Sequence, residues 1–122
     1  MSARALRAVI VGATLLLGAG AAWGHAFLDR AEPRVGSTVR TAPSQVRVWF
    51  TENLEPAFST LEVWNQDGKR VDGGPAEVSA ASPTMLQVSL KTLGPGTYRV
   101  KWWVLSVDTH VTEGNFTFRV AP

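Results

Sequence analysis

The stretch "GTYRVKWWVLS", Gly96 to Ser106, decides the fold. Tyr98, Val100 and Trp102 fall on one side of an extended chain, and the neighbouring Trp103 must face the other. A period of two over ten residues is a strand with one face in a core. Trp102 and Trp103 therefore cannot both be deep core.

The same period recurs in both directions along the chain. In "QVRVWFT" (Gln45–Thr51), Val46, Val48 and Phe50 alternate with Arg47, Trp49 and Thr51. "STLEVWN" (Ser59–Asn65) alternates Leu61 and Val63. "TMLQVSL" (Thr84–Leu90) sets Leu86, Val88 and Leu90 against Met85, Gln87 and Ser89, and "GNFTFRV" (Gly114–Val120) carries Phe116, Phe118 and Val120 on one face. Between these runs lie turn formers. "NQDGKR" (Asn65–Arg70) reads as a hairpin turn, because Gly68 takes positive φ without steric cost, and "LGPGT" (Leu93–Thr97) as a second tight turn. No longer stretch has helical period. About seven strands at roughly ten-residue spacing predict an all-β fold, a seven-stranded Greek-key sandwich or barrel.

The N-terminus follows a different rule. Arg4 and Arg7 precede the apolar run Ala8–Ala22, which ends in small residues. This is the pattern of a secretory signal peptide, and the run is shorter than the ~20 residues of a membrane helix. Two cuts satisfy the small-residue rule, one before His25 and one before Ala22. The organisation expected is a signal over 1–24 and a single β domain over 25–122. Removing residues 1–24 takes two of the 12 basic side chains and none of the 10 acidic ones. The remaining 98 residues carry no net side-chain charge, so the overall +2 argues for no nucleic-acid partner. The chain has no cysteine, so packing and hydrogen bonds must hold the domain without disulfides, and no thiolate is available to a metal.

The chain has two histidines, His25 and His110. In Asp108-Thr109-His110 the carboxylate and imidazole are two residues apart, which on a strand end places both on one face. A cut before His25 would make that residue supply its α-amine and its ring to one metal ion. With the His110 ring and the Asp108 carboxylate, the set is three nitrogens and one oxygen. That set suits tetragonal Cu(II), which also tops the divalent affinity order. Tetrahedral Zn(II) is open to the same residues. The soft sulfur ligands of Cu(I) are missing, with Met85 the one methionine beyond the signal.

These residues resemble the CopC/PcoC family of small periplasmic copper-binding, copper-resistance proteins. The resemblance runs through "HAFLDRAEPRVGS" at His25, Leu28, Pro33 and Gly36, then "PSQVRVWFTENL" at Pro43, Val46, Val48, Phe50 and Glu52. It continues through "GTYRVKWWVLSVDTHVTEGNFTFRV" at Gly96, Tyr98, Val100, Trp102, Ser106, Asp108, His110, Gly114, Phe118 and Val120. It implies a seven-stranded barrel or sandwich of cupredoxin-like or immunoglobulin-like shape. It also implies one Cu(II) ion on His25, Asp108 and His110, with Glu52 as an axial or outer ligand. A periplasmic, monomeric copper carrier or buffer is expected, serving copper homeostasis or resistance beside a CopD-type inner-membrane transporter. The methionine-rich loop of Cu(I)-binding members has no counterpart in Asn65–Pro83, which holds no methionine or histidine. A binding module is expected rather than an enzyme. The alternatives are a copper-dependent oxidative enzyme built on a histidine brace and a metal-free β-sandwich used for interaction.

Overall fold

The computed structural model describes residues 26–122. The strands are β1 (Leu28–Glu32), β2 (Thr38–Val39), β3 (Gln45–Phe50), β4 (Thr60–Trp64), β5 (Glu77–Val78), β6 (Met85–Ser89), β7 (Gly96–Leu105) and β8 (Val111–Val120). One 3₁₀ turn, Pro56–Phe58, precedes β4. The strands form two four-stranded sheets, in the orders β1-β3-β6-β5 and β2-β8-β7-β4.

The expected sandwich is present. Eight strands rather than seven are found among the described residues, because β2 and β5 are two-residue edge pieces too short to show a period. Pairing is antiparallel except between β2 and β8, where Thr38 and Val39 run parallel to Arg119 and Val120.

Alternation sets the core. Val46, Val48 and Phe50 of β3 face Leu61 and Val63 of β4, Leu86 and Val88 of β6, Tyr98, Val100 and Val104 of β7, and Phe116, Phe118 and Val120 of β8 in one buried cluster. The two adjacent tryptophans divide as their parity requires. Trp102 packs against the core, its ring 5.1 Å from Phe50 in an edge-on contact, while Trp103 is 38% exposed. Gly114 lies opposite Trp102 in the β7–β8 ladder, and the absent side chain leaves the space the indole fills.

Both sequence-predicted turns form. In "NQDGKR" the Asn65 side chain accepts from the Asp67 and Lys69 amides, and Gly68 has φ +75°. At the second turn the Tyr98 hydroxyl donates to the Gly94 carbonyl at 2.7 Å. These contacts fix the C-terminal end of β4 and the start of β7.

Candidate metal centre

Strand β7 ends at Leu105 and β8 begins at Val111, so Ser106–His110 is the connection between the two longest strands. Asp108 and His110 therefore sit in a turn and not on a strand end. They reach one side by another route. Thr109 between them has φ +73°, a left-handed conformation uncommon for a residue with a β-branched side chain. The Thr109 amide donates to the Ser106 carbonyl at 2.9 Å, and the Ser106 amide to the His110 carbonyl at 3.0 Å. The tight turn folds back, and His110 Nδ1 comes to 3.3 Å from Asp108 Oδ1. Both side chains are open to solvent, His110 at 48% and Asp108 at 41%.

Ser106 organises this turn from beneath. It is fully buried. Its hydroxyl donates to the Asp108 carboxylate, and the same oxygen accepts from the His110 amide at 3.3 Å. The hydroxyl above all, with help from His110, holds the Asp108 carboxyl below the usual carboxylate range against the opposing effect of desolvation. Asp108 is thus kept ionised, the state in which a carboxylate binds a cation.

The segment after β3 backs the turn from the other sheet. The Val107 amide donates to the Asn53 carbonyl at 3.0 Å, the Glu55 amide to the Leu105 carbonyl at 2.8 Å, and Leu54 bridges Ser106. Glu52 is exposed on this segment, one residue before Asn53. Among the described residues no three His, Cys, Asp or Glu side chains are grouped as a metal site, so Asp108 and His110 stand as a pair and Glu52 is not gathered with them.

His25 and the expected signal over 1–24 lie outside the described residues. Ala26, the next residue, is buried, and its carbonyl accepts from the Thr112 hydroxyl at 2.7 Å. The N-terminal end of the described chain is thereby tied to β8 two residues beyond His110. The roles of Ser106 and Thr112 were not legible from spacing, because each depends on contact across the turn or across 86 residues of chain. The one available signal was a small hydroxyl residue placed just before Asp-Thr-His, where Ser and Thr commonly bond nearby backbone.

A family model described as the CopC domain matches residues 28–121. The chain belongs to the CopC family. Protein YobA of Escherichia coli K12 is 34% identical over 120 residues, covering 98% of this chain and 97% of YobA. The crystal structure of CopC from Methylosinus trichosporium OB3b matches with a TM-score of 0.75 at 36% identity, over 80% of this chain and 95% of that one. PcoC, a methionine-rich copper resistance protein from Escherichia coli, matches with a TM-score of 0.65 at 33% identity, over 80% and 99% of the two chains. This CopC-family chain departs from methionine richness, having two methionines, of which Met85 is buried on β6.

Proposed function

We propose that this CopC-family protein is an exported Cu(II) carrier or buffer of the periplasm. One ion would be held by the α-amine and ring of His25, the Asp108 carboxylate and the His110 ring. The observation that carries the reading is the pair itself. A solvent-open imidazole and an ionised carboxylate converge to 3.3 Å on a buttressed turn, two residues before Thr112, whose hydroxyl bonds the Ala26 carbonyl. Two donors bind a divalent ion weakly. An amine and a second imidazole from one N-terminal residue would complete a nitrogen-rich tetragonal set, for which Cu(II) is the best match.

Removal of residues 1–24 before His25 is part of the proposal, since it creates the amine. The absence of a methionine or histidine in 65–83 supports a Cu(II) role without a Cu(I) site. The physiological partner proposed is a CopD-type inner-membrane copper transporter, with the carrier acting as a monomer. Glu52, on the segment behind the turn, is assigned an outer role.

Substitution separates these roles. His110→Ala weakens Cu(II) binding by at least about a hundredfold in a competition titration, whereas Glu52→Ala weakens it by no more than about tenfold, the lower edge of outer-ligand effects. Equal losses would place Glu52 among the direct ligands.

A further inference from the structure

The described tryptophans are covered, with one exception. The Arg30 guanidinium lies 3.8 Å from the Trp49 ring centre. Arg70 and Lys101 lie 5.5 and 5.3 Å from that of Trp64, and Trp102 meets Phe50 edge-on. Among the described residues no aromatic ring or cation packs on Trp103, and no hydrogen bond reaches its indole nitrogen. A single exposed ring on a sheet is ordinary. The surroundings of this one are not.

Trp103 lines a hollow of about 490 Å³ on the outer face of the second sheet. The register builds it. Thr60, Trp103 and Glu113 form one row across β4, β7 and β8, and Glu62, Lys101 and Asn115 form the next. In the second row Glu62 accepts from Trp64 Nε1 at 3.2 Å and lies 3.3 Å from Arg70, while Asn115 Oδ1 accepts from Arg99. In the first row, among the described residues, the Thr60 hydroxyl and the Glu113 carboxylate have no partner. Lys101 faces the Trp64 ring and is ion-paired with neither Glu62 nor Glu113. An uncovered ring and several unbonded polar groups thus share one hollow.

The chemistry of the hollow narrows its ligand. Strand β7 lies between β4 and β8, so its backbone is already paired on both sides and a peptide cannot add to it as a strand. One ammonium beside the carboxylates of Glu62 and Glu113 is not the concentrated positive charge that a phosphate or nucleic acid needs. No group of three metal-ligating side chains is present among the described residues. What remains is an uncharged molecule with an apolar face and a rim of hydroxyls. The negative face of an indole attracts slightly positive C–H hydrogens, such as those on the flat face of a pyranose. Hydroxyls both donate and accept, so they match a carboxylate, an ammonium, an amide and a hydroxyl set around that ring.

We infer that the hollow around Trp103 is a carbohydrate-binding cleft: an uncharged pyranose stacks on the indole, and its hydroxyls bond Glu113, Thr60, Lys101 and the Asn115 amide. The cleft shares no residue with the Asp108–His110 pair and does not depend on the copper-binding reading.

The test is an NMR titration of the ¹⁵N-labelled protein with two uncharged trisaccharides, chitotriose and maltotriose, and with the polyanion trigalacturonate. At least one uncharged sugar should move the Trp103 indole N–H signal and the Glu113 and Asn115 amides, and should saturate them. Trp103→Ala should weaken that binding by about tenfold or more, as truncating a central aromatic contact does. Glu113→Gln, which keeps the shape of an exposed side chain, should weaken it by about threefold or more, the size of one hydrogen bond. Unchanged amide signals elsewhere in both variants show that the fold is kept.

The inference is overturned if neither uncharged sugar moves the Trp103 signal up to about 50 mM, where a millimolar site would be nearly saturated. Equal binding by wild type and Trp103→Ala also overturns it, since the sugar would then sit elsewhere. Tighter binding of trigalacturonate than of either uncharged sugar overturns it as well, because it would mark Lys101 as the centre of an anion site.

Discussion

The buried Ser106 hydroxyl donates to the Asp108 carboxylate while its oxygen receives the His110 amide. One side chain thus fixes both halves of the exposed pair. The carboxylate is held in its ionised form, and the backbone of the histidine is held to the floor of the turn.

Ser106→Ala tests this arrangement. The Asp108 carboxyl should titrate higher in the variant, because the bond that contributes most to lowering it is gone. The His110 amide also loses its acceptor, so the apo protein should melt lower, by about 4–8 °C per ~1 kcal/mol for a domain of this size. Carboxyl-carbon NMR titration and calorimetry measure the two effects. An unchanged Asp108 titration would assign its acidity to something other than Ser106.

A second carboxylate gives the stability its dependence on pH. Asp72 accepts from the Val63 amide at 2.9 Å and from Arg70 Nε and Nη2 at 2.6 and 2.8 Å, with its side chain 6% exposed. Burial pushes its carboxyl up, but the Arg70 guanidinium and the Val63 amide outweigh burial, and the net direction is down. A folded-state value below the unfolded one means that the stabilisation is complete above the ordinary carboxylate range. It is then lost as pH falls through the folded value. Asp72→Asn should cost about 1.5–3 kcal/mol at pH 7. In urea titrations the gap from wild type should narrow as pH falls below about 4. A gap constant from pH 7 to pH 2 would contradict this.

Gly114 is required by packing and not by backbone conformation. A Cβ there would lie 2.5 Å from Trp102 Cζ2 and 2.9 Å from Cε2. Gly114→Ala should destabilise by about 1–3 kcal/mol, as overpacking does. It should also alter the near-ultraviolet circular dichroism, because the Trp102 ring must shift against Phe50. A variant within about 0.5 kcal/mol of wild type, with an unchanged spectrum, would mean that the ring has other room.

The strands that carry the core were legible because burial on one face imposes a period of two. Val46-Val48-Phe50 and Tyr98-Val100 announce it, and the opposite facing of Trp102 and Trp103 follows from parity alone. The Gly68 turn was legible from its chemistry. The edge pieces Thr38–Val39 and Glu77–Val78 were not, since two residues have no period, and the partner of Thr38–Val39, Arg119–Val120, is far along the chain. Asp108 and His110 were legible as a pair but not as a turn. Their convergence depends on the positive φ of Thr109 and on Ser106 below it, neither of which the spacing contains. Thr112 was invisible for the same reason: its partner, Ala26, is brought to it by the closed sandwich.

Processing before His25 is proposed to complete a site begun by Asp108 and His110. It is tested most directly by a native mass spectrum of the exported protein, purified without chelator and given one equivalent of Cu(II). The expected spectrum shows a chain that starts at His25 and carries one copper. A chain that starts at Ala22, or one that starts at His25 and stays metal-free, would contradict it.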